Sequence, residues 1–228
     1  MSLARRLFHP ASLSLAAAGF VLFLAGCAQE DTAHRIVISI PEQRMLVLEQ
    51  DHPIATYQVS TSRFCLSDRP GSRGTPLGHL AIARKIGGTA PAGAVFKDQR
   101  QTGEILRPDA PGRDPIVSRI LWLRGLDAGT RNAFSRYIYI HGTAEERRIG
   151  TPASFGCIRM RSADVIQLYD LVGVGAKVDI TQETIAQATG YPEPGVPFVQ
   201  PVQPSVAEAS PAPTPVAGLQ PAFSTLRP

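Results

Sequence analysis

The sequence has too few cysteines to be a disulfide scaffold: only 3, at Cys27, Cys65 and Cys157. It has no Cys-x-x-Cys pair and no His/Cys cluster at zinc spacing, so no metal and no cofactor are expected. Charge is sparse at 18% of residues, and 23 Lys+Arg against 19 Asp+Glu leave a formal +4. No basic run with interleaved aromatics occurs, which argues against a nucleic-acid partner. Apolar runs stay short of the roughly 20 residues that a membrane helix needs. Strands do not alternate with helices, so a doubly wound sheet is disfavoured. What is present, 43% hydrophobic residues in a 228-residue chain, suits one globular domain with appendages.

Both ends read as appendages. Arg5 and Arg6 precede an apolar stretch from Ala11 to Leu24, and Leu24-Ala25-Gly26-Cys27 follows. A positive flank, a short apolar core and small residues before a break form a secretory signal over residues 1–26. The ending resembles the bacterial lipoprotein box, which implies a lipid on the Cys27 thiol and a membrane partner through it. Ala28 follows the cysteine where an inner-membrane retention signal would place Asp. In a diderm bacterium, the resemblance then implies a periplasm-facing protein on the outer membrane. At the other end, residues 191–228 hold ten of the chain's 20 prolines and three charged side chains. No helical or strand period survives that density, so the expectation is a disordered, extended tail.

The middle reads as mostly β. Arg35–Ile40, Arg44–Gln50 and Ile54–Thr61 form three strand candidates, with a tight turn at Asp51-His52. Later candidates are His79–Ala83, Ser118–Leu123, Tyr137–Ile140 and Lys177–Thr181. One helix is expected from an N-cap at Ser162 through Val165, Leu168, Tyr169 and Val172 to a stop at Gly173. Residues 86–115 carry many Gly and Pro and read as a long loop, a candidate lid. Phe96 would give it apolar cover, and Lys97 or Arg107 would meet a carboxylate.

Chemistry concentrates between Tyr137 and Arg161. Strand alternation would put Tyr137, Tyr139 and His141 on one face. Sixteen residues on lies Cys157, within Ser154-Phe155-Gly156-Cys157-Ile158-Arg159. A histidine within reach can take the thiol proton and hold a thiolate. The Gly156 and Cys157 amides would point at a developing oxyanion. Arg159 would favour the thiolate or grip a substrate carboxylate. From spacing alone, a buried structural cysteine and a satisfied core histidine stay open as alternatives.

The string itself resembles the signature of YkuD-type L,D-transpeptidases. The matching segments are His141-Gly142-Thr143, then Ile149-Gly150-Thr151-Pro152-Ala153-Ser154-x-Gly156-Cys157-Ile158-Arg159-Met160, then the helix from Ala163 to Val172. The resemblance implies a β-sandwich catalytic domain over residues 34–182. It further implies attack by Cys157 on the bond after the third residue of a peptidoglycan stem tetrapeptide, with His141 as base. The acyl group would pass to an amine, giving a 3→3 cross-link or an attached protein, and carbapenems would acylate Cys157. The Gly142 carbonyl would orient His141, while Ser154 and Arg159 would support the loop or substrate. One departure is Phe155, where many members have His; this removes any role for a second histidine. Two rivals stand beside this reading. One is an L,D-carboxypeptidase that uses water as acceptor. The other is a non-catalytic wall-tethering lipoprotein.

Four other features are set aside. Cys65 is expected to be free, because a bond to Cys157 would silence the nucleophile. His79 has no visible partner, and Trp122 reads as core or groove wall. Arg63, Arg69 and Arg73 could line an approach for a carboxylate-rich substrate, but a solvated loop is the reading preferred.

Overall fold

The first two strands read as nearly unbroken apolar runs, which means that both of their faces are covered. In the computed structural model, which describes residues 29–191, that is what happens. Strands β1 (His34–Ser39), β2 (Arg44–Glu49) and β3 (His52–Gln58) form an antiparallel meander. Ile36, Ile38, Met45 and Val47 face the main core. Val37, Leu46 and Leu48 face the other way, under Ile185 of a short helix, α2 (Ile185–Thr189). The leader (1–26), Cys27 and the tail beyond Tyr191 lie outside the described residues.

The remaining strands are β4 (Gly78–Ile86), β5 (Ala94–Lys97), β6 (Arg100–Ile105), β7 (Ile116–Gly125), β8 (Tyr139–Thr143), β9 (Ile158–Met160) and β10 (Lys177–Thr181). They build one mixed sheet in the order β3-β2-β1-β10-β4-β7-β5-β6. β7 also branches to β8, which carries β9 in parallel. Helix α1 (Ser162–Leu171) packs beside β7 and β8. The main core collects side chains from β1, β3, β8, β9 and α1, from Ile36 and Tyr57 to Ile140, Ile158, Val165 and Leu168. The expected mostly β architecture, with one helix after the cysteine motif, is present.

Several boundaries differ from expectation for local reasons. The β2–β3 turn is Gln50-Asp51, one residue earlier than expected, with φ of 48° and 63°. Asp98-Gln99 repeats that left-handed pair at 49° and 64°. Neither turn contains glycine, so the usual signal for a tight hairpin is missing. The second turn joins β5 to β6, so the middle of residues 86–115 is a β-hairpin on the sheet, flanked by irregular segments. Ser162 is the first residue of α1 and Arg161 is the cap, without a side-chain cap bond. The Ser162 amide instead donates to Glu146 Oε1 at 2.8 Å, a partner supplied by the 3₁₀ turn Glu146–Arg148. Helix α2 went unread, although its capping box, Thr184 with Gln187, was visible in the sequence.

Candidate active site

Parallel pairing of β8 with β9 sets His141 opposite Arg159 and Ile140 opposite Ile158. Alternation then separates two faces. Ile140, Ile158 and Met160 enter the main core. Tyr139, His141, Cys157 and Arg159 share the other face, with Cys157 immediately ahead of β9. Tyr137 does not belong to the strand: its φ is 58° and it stands 53% exposed, whereas Tyr139 and His141 are 6% exposed. Cys157 is partly exposed and packs on the cluster of Phe96, Ile120, Trp122 and Tyr139. Trp122 is part of that buried cluster, its ring stacked on Phe134 with centroids 4.1 Å apart.

His141 has a defined tautomer. Its Nδ1 lies 2.8 Å from the Gly142 carbonyl oxygen, which can only accept, so Nδ1 carries the hydrogen. In the neutral ring, Nε2 is then the free base. Gly142 must be glycine because a Cβ there would lie 2.6 Å from the Val117 carbonyl oxygen on β7. Burial pushes the His141 pKa down to about 4. Arg159 adds to that fall, while the Gly142 bond and Asp114 oppose it. Burial pushes the Cys157 thiol up, against the Tyr139 amide, Arg159 and Arg136, which favour thiolate. The Cys157 thiol donates to the Tyr137 carbonyl at 3.3 Å. Both shifts favour a resting pair that is neutral, in place of the expected standing thiolate.

The turn before Cys157 is held by Ser154. Its Oγ donates to the Cys157 carbonyl at 2.5 Å and accepts from the Gly156 amide at 3.1 Å. The Gly156 amide, expected to point at an oxyanion, is thus bonded to Ser154 Oγ here. Gly156 is required by the packing of the turn. Its φ is 122°, and a Cβ would lie 2.9 Å from the Gly74 carbonyl oxygen of the neighbouring loop. Gly156→Ala should therefore lower the unfolding free energy by about 2–3 kcal/mol in denaturant titration, and an unchanged midpoint would contradict this account of the turn.

Arg159 is not available to substrate. It is 8% exposed, and its Nη1 lies 2.8 Å from Asp114 Oδ2 and 3.3 Å from Glu145 Oε2. Asp114 Oδ1 also accepts from Thr143 Oγ and the Ala144 amide. Arg159 thus fastens the end of β8 to β9, and of its two expected roles the structure favours loop support. Arg159→Met leaves Asp114 facing no cation, while Glu145 keeps Arg148 at 3.4 Å, and should cost about 3 kcal/mol of stability. It should also raise the His141 pKa, since the nearby positive charge is gone; an NMR titration with no upward shift would contradict this.

Two pockets of ≈ 330 Å³ each flank the thiol. Phe96, Asp98, Gln99, Ile116, Tyr137 and Tyr139 line one. The other is lined by Pro70, Gly71, Arg73, Arg136, Phe155 and Cys157 among others. The hairpin turn leans on the site through Gln99 Nε2, which donates to the Tyr139 hydroxyl at 3.3 Å. Phe96, expected as lid cover, is buried in the cluster under Cys157, while Lys97 is exposed. Asp114, Arg136 and the Tyr137 carbonyl were not legible as site groups, because backbone register and long-range pairing bring them there. Cys65 is free and exposed, and His79 has a partner after all: its Nδ1 lies 2.6 Å from Asp179 Oδ1.

Residues 33–180 match the family YkuD, described as the L,D-transpeptidase catalytic domain. A Bacillus licheniformis protein with the provisional name L,D-transpeptidase YkuD is 26% identical over 167 residues, 72% of this chain and 76% of that one. The Bacillus subtilis protein provisionally named L,D-transpeptidase YqjB is 39% identical over 70 residues, 31% of this chain and 37% of that one. Among solved structures, L,D-transpeptidase 3 from Mycobacterium tuberculosis with a faropenem-derived adduct is 18% identical with a TM-score of 0.44. That match covers 65% of this chain and 60% of the other. An L,D-transpeptidase from Xylanimonas cellulosilytica is 17% identical with a TM-score of 0.43, covering 68% of this chain and 62% of that one. The chain thus spans less than two thirds of the solved proteins it matches.

Proposed function

Because the chain belongs to the YkuD family of L,D-transpeptidase catalytic domains, we propose that it transfers acyl groups between peptidoglycan stem peptides through Cys157. The observation that carries this reading is the fixed His141 tautomer on the strand face shared with Cys157. In the proposed reaction, Cys157 Sγ attacks the carbonyl carbon of the third stem residue while His141 Nε2 takes the thiol proton. To do so, the thiol gives up its hydrogen bond to the Tyr137 carbonyl. The Cys157 amide supports the oxyanion. His141 then returns its proton to the departing amine of the fourth residue, and a thioester remains on Cys157. An acceptor amine attacks the thioester and passes its proton to Nε2; collapse releases the new amide, and Sγ regains the proton. A carbapenem would acylate the same sulfur by ring opening. The test is incubation with a defined tetrapeptide muropeptide and mass analysis of products. A 3→3 linked dimer is expected. A tripeptide alone would point to water as acceptor, and unchanged substrate would refute the reading.

The same proposal includes anchoring at Cys27 after removal of residues 1–26, on the periplasmic side of the outer membrane. Its support is the Leu24-Ala25-Gly26-Cys27 string. Acyl chains on that sulfur would hold the protein stably at a bilayer. Cys27→Ala should move the protein from the membrane to the soluble fraction or stop its maturation. Unchanged fractionation would rule out the lipid.

A further inference from the structure

The pocket that Cys157 lines is bordered by Arg73 and by Phe155, and Arg63 lies over that Phe155 ring. Arg63 and Arg73 are exposed side chains on the segment between β3 and β4. The Arg63 guanidinium carbon lies 4.9 Å from the Phe64 ring centre and 4.7 Å from that of Phe155. For Arg73 the distances are 5.6 and 5.7 Å. The two rings meet at 5.2 Å and stay 46% and 50% exposed. Neither arginine has a carboxylate partner among the described residues. Arg136, which lines the same pocket, differs: it donates to the Ser67 and Gly74 carbonyls and to Asp68 Oδ1, and it is 9% exposed. Its charge is spent on the loop, so the unspent charge belongs to Arg63 and Arg73.

The backbone ties these cations to the nucleophile. The Arg63 amide donates to the Ser154 carbonyl at 3.2 Å, in the turn that leads to Cys157. Ser62 Oγ donates to the Arg73 carbonyl at 2.6 Å. A guanidinium held over aromatic rings by cation–π attraction still carries N–H donors that no carboxylate has taken, and these match a carboxylate in bidentate fashion. Stacking also restricts the rotamers beforehand, so less freedom is lost when an anion binds.

We infer that Arg63 and Arg73, stacked on Phe64 and Phe155, form a subsite for a carboxylate of the acyl-donor peptide. The inference rests on the proposed acyl transfer at Cys157. In a stem tetrapeptide whose third residue is a diamino diacid, two carboxylates flank the scissile bond, one on the third residue's side chain and one at the fourth residue's C-terminus.

Three donors separate them: the free diacid, its third-residue side-chain amide, and its C-terminal amide. With the wild-type protein, one of the two amides should raise KM about tenfold, equivalent to about 1.4 kcal/mol, with kcat held within about twofold. Which amide does so identifies the carboxylate. The double variant Arg63→Gln/Arg73→Gln should raise KM for the free diacid to the same level and lose the discrimination. Arg69→Gln, on the same segment but over neither the Phe64 nor the Phe155 ring, should keep it. Discrimination as sharp in the double variant as in wild type would overturn the inference, as would equal losses with all three donors. Calorimetric titration of the same peptides into Cys157→Ala repeats the comparison without turnover. A protein that turns over no donor would refute the proposed reaction, and calorimetry would still decide the subsite.

Discussion

Cys157→Ser should lower transfer by a factor of about 10³ or more while leaving the fold intact. A hydroxyl is far less ionised than a thiol, and this site already pushes the Cys157 proton on more tightly through burial. Sγ also sits among apolar neighbours, with the Tyr137 carbonyl as hydrogen-bond acceptor, so serine fits the same space. Product release measured beside an unfolding curve separates lost chemistry from lost structure. Activity near the wild-type level, with an unchanged curve, would remove Cys157 from the chemistry.

His141→Ala should cost about 10²–10⁴-fold in rate, the usual range for a positioned general base. The pH profile adds a sharper expectation. Because burial holds the folded His141 pKa near 4, neutral imidazole persists far below the ordinary value of 6.5. The acid limb of kcat/KM attributable to His141 should therefore lie near pH 4–5. A limb centred at pH 6–7 would mean an ordinary, solvated histidine. The same shift affects stability. A folded pKa below the unfolded one means that the unfolded chain binds the proton first, so stability falls as pH drops from 6.5 towards 4. Above pH 6.5 both states are neutral at this residue and the effect vanishes. His141→Phe should flatten that window in denaturation curves recorded against pH.

How far the sequence could be read depended on where each interaction lies along the chain. Local signals were legible: β-branched runs for β1 and β2, the 3.6-residue spacing of α1, and Lys177–Thr181 as a strand. The nucleophile and base candidates stood in a local string as well. Illegible were features set by distant partners. The β5–β6 hairpin has left-handed Asp98-Gln99 without glycine and an edge strand with every residue exposed, so neither turn chemistry nor alternation marked it. The need for glycine at 156 was not legible either, because the atom that takes up the room is the Gly74 carbonyl, 82 positions away in the chain. Arg159 seemed free to meet a ligand because its partners, Asp114 and Glu145, arrive through β7–β8 and β8–β9 pairing. Conversely, Arg63 and Arg73 looked like a solvated loop until folding set them against Phe155.

The central claim is that the acyl group travels on the Cys157 sulfur. The direct measurement is to quench the protein with a stem tetrapeptide donor, digest it, and map adducts by mass spectrometry. The account predicts an added mass on the peptide containing Cys157, equal to the donor minus its fourth residue, and none on the peptide containing Cys65. Turnover with Cys157 unmodified at every time point, or an adduct on Cys65 instead, would contradict it.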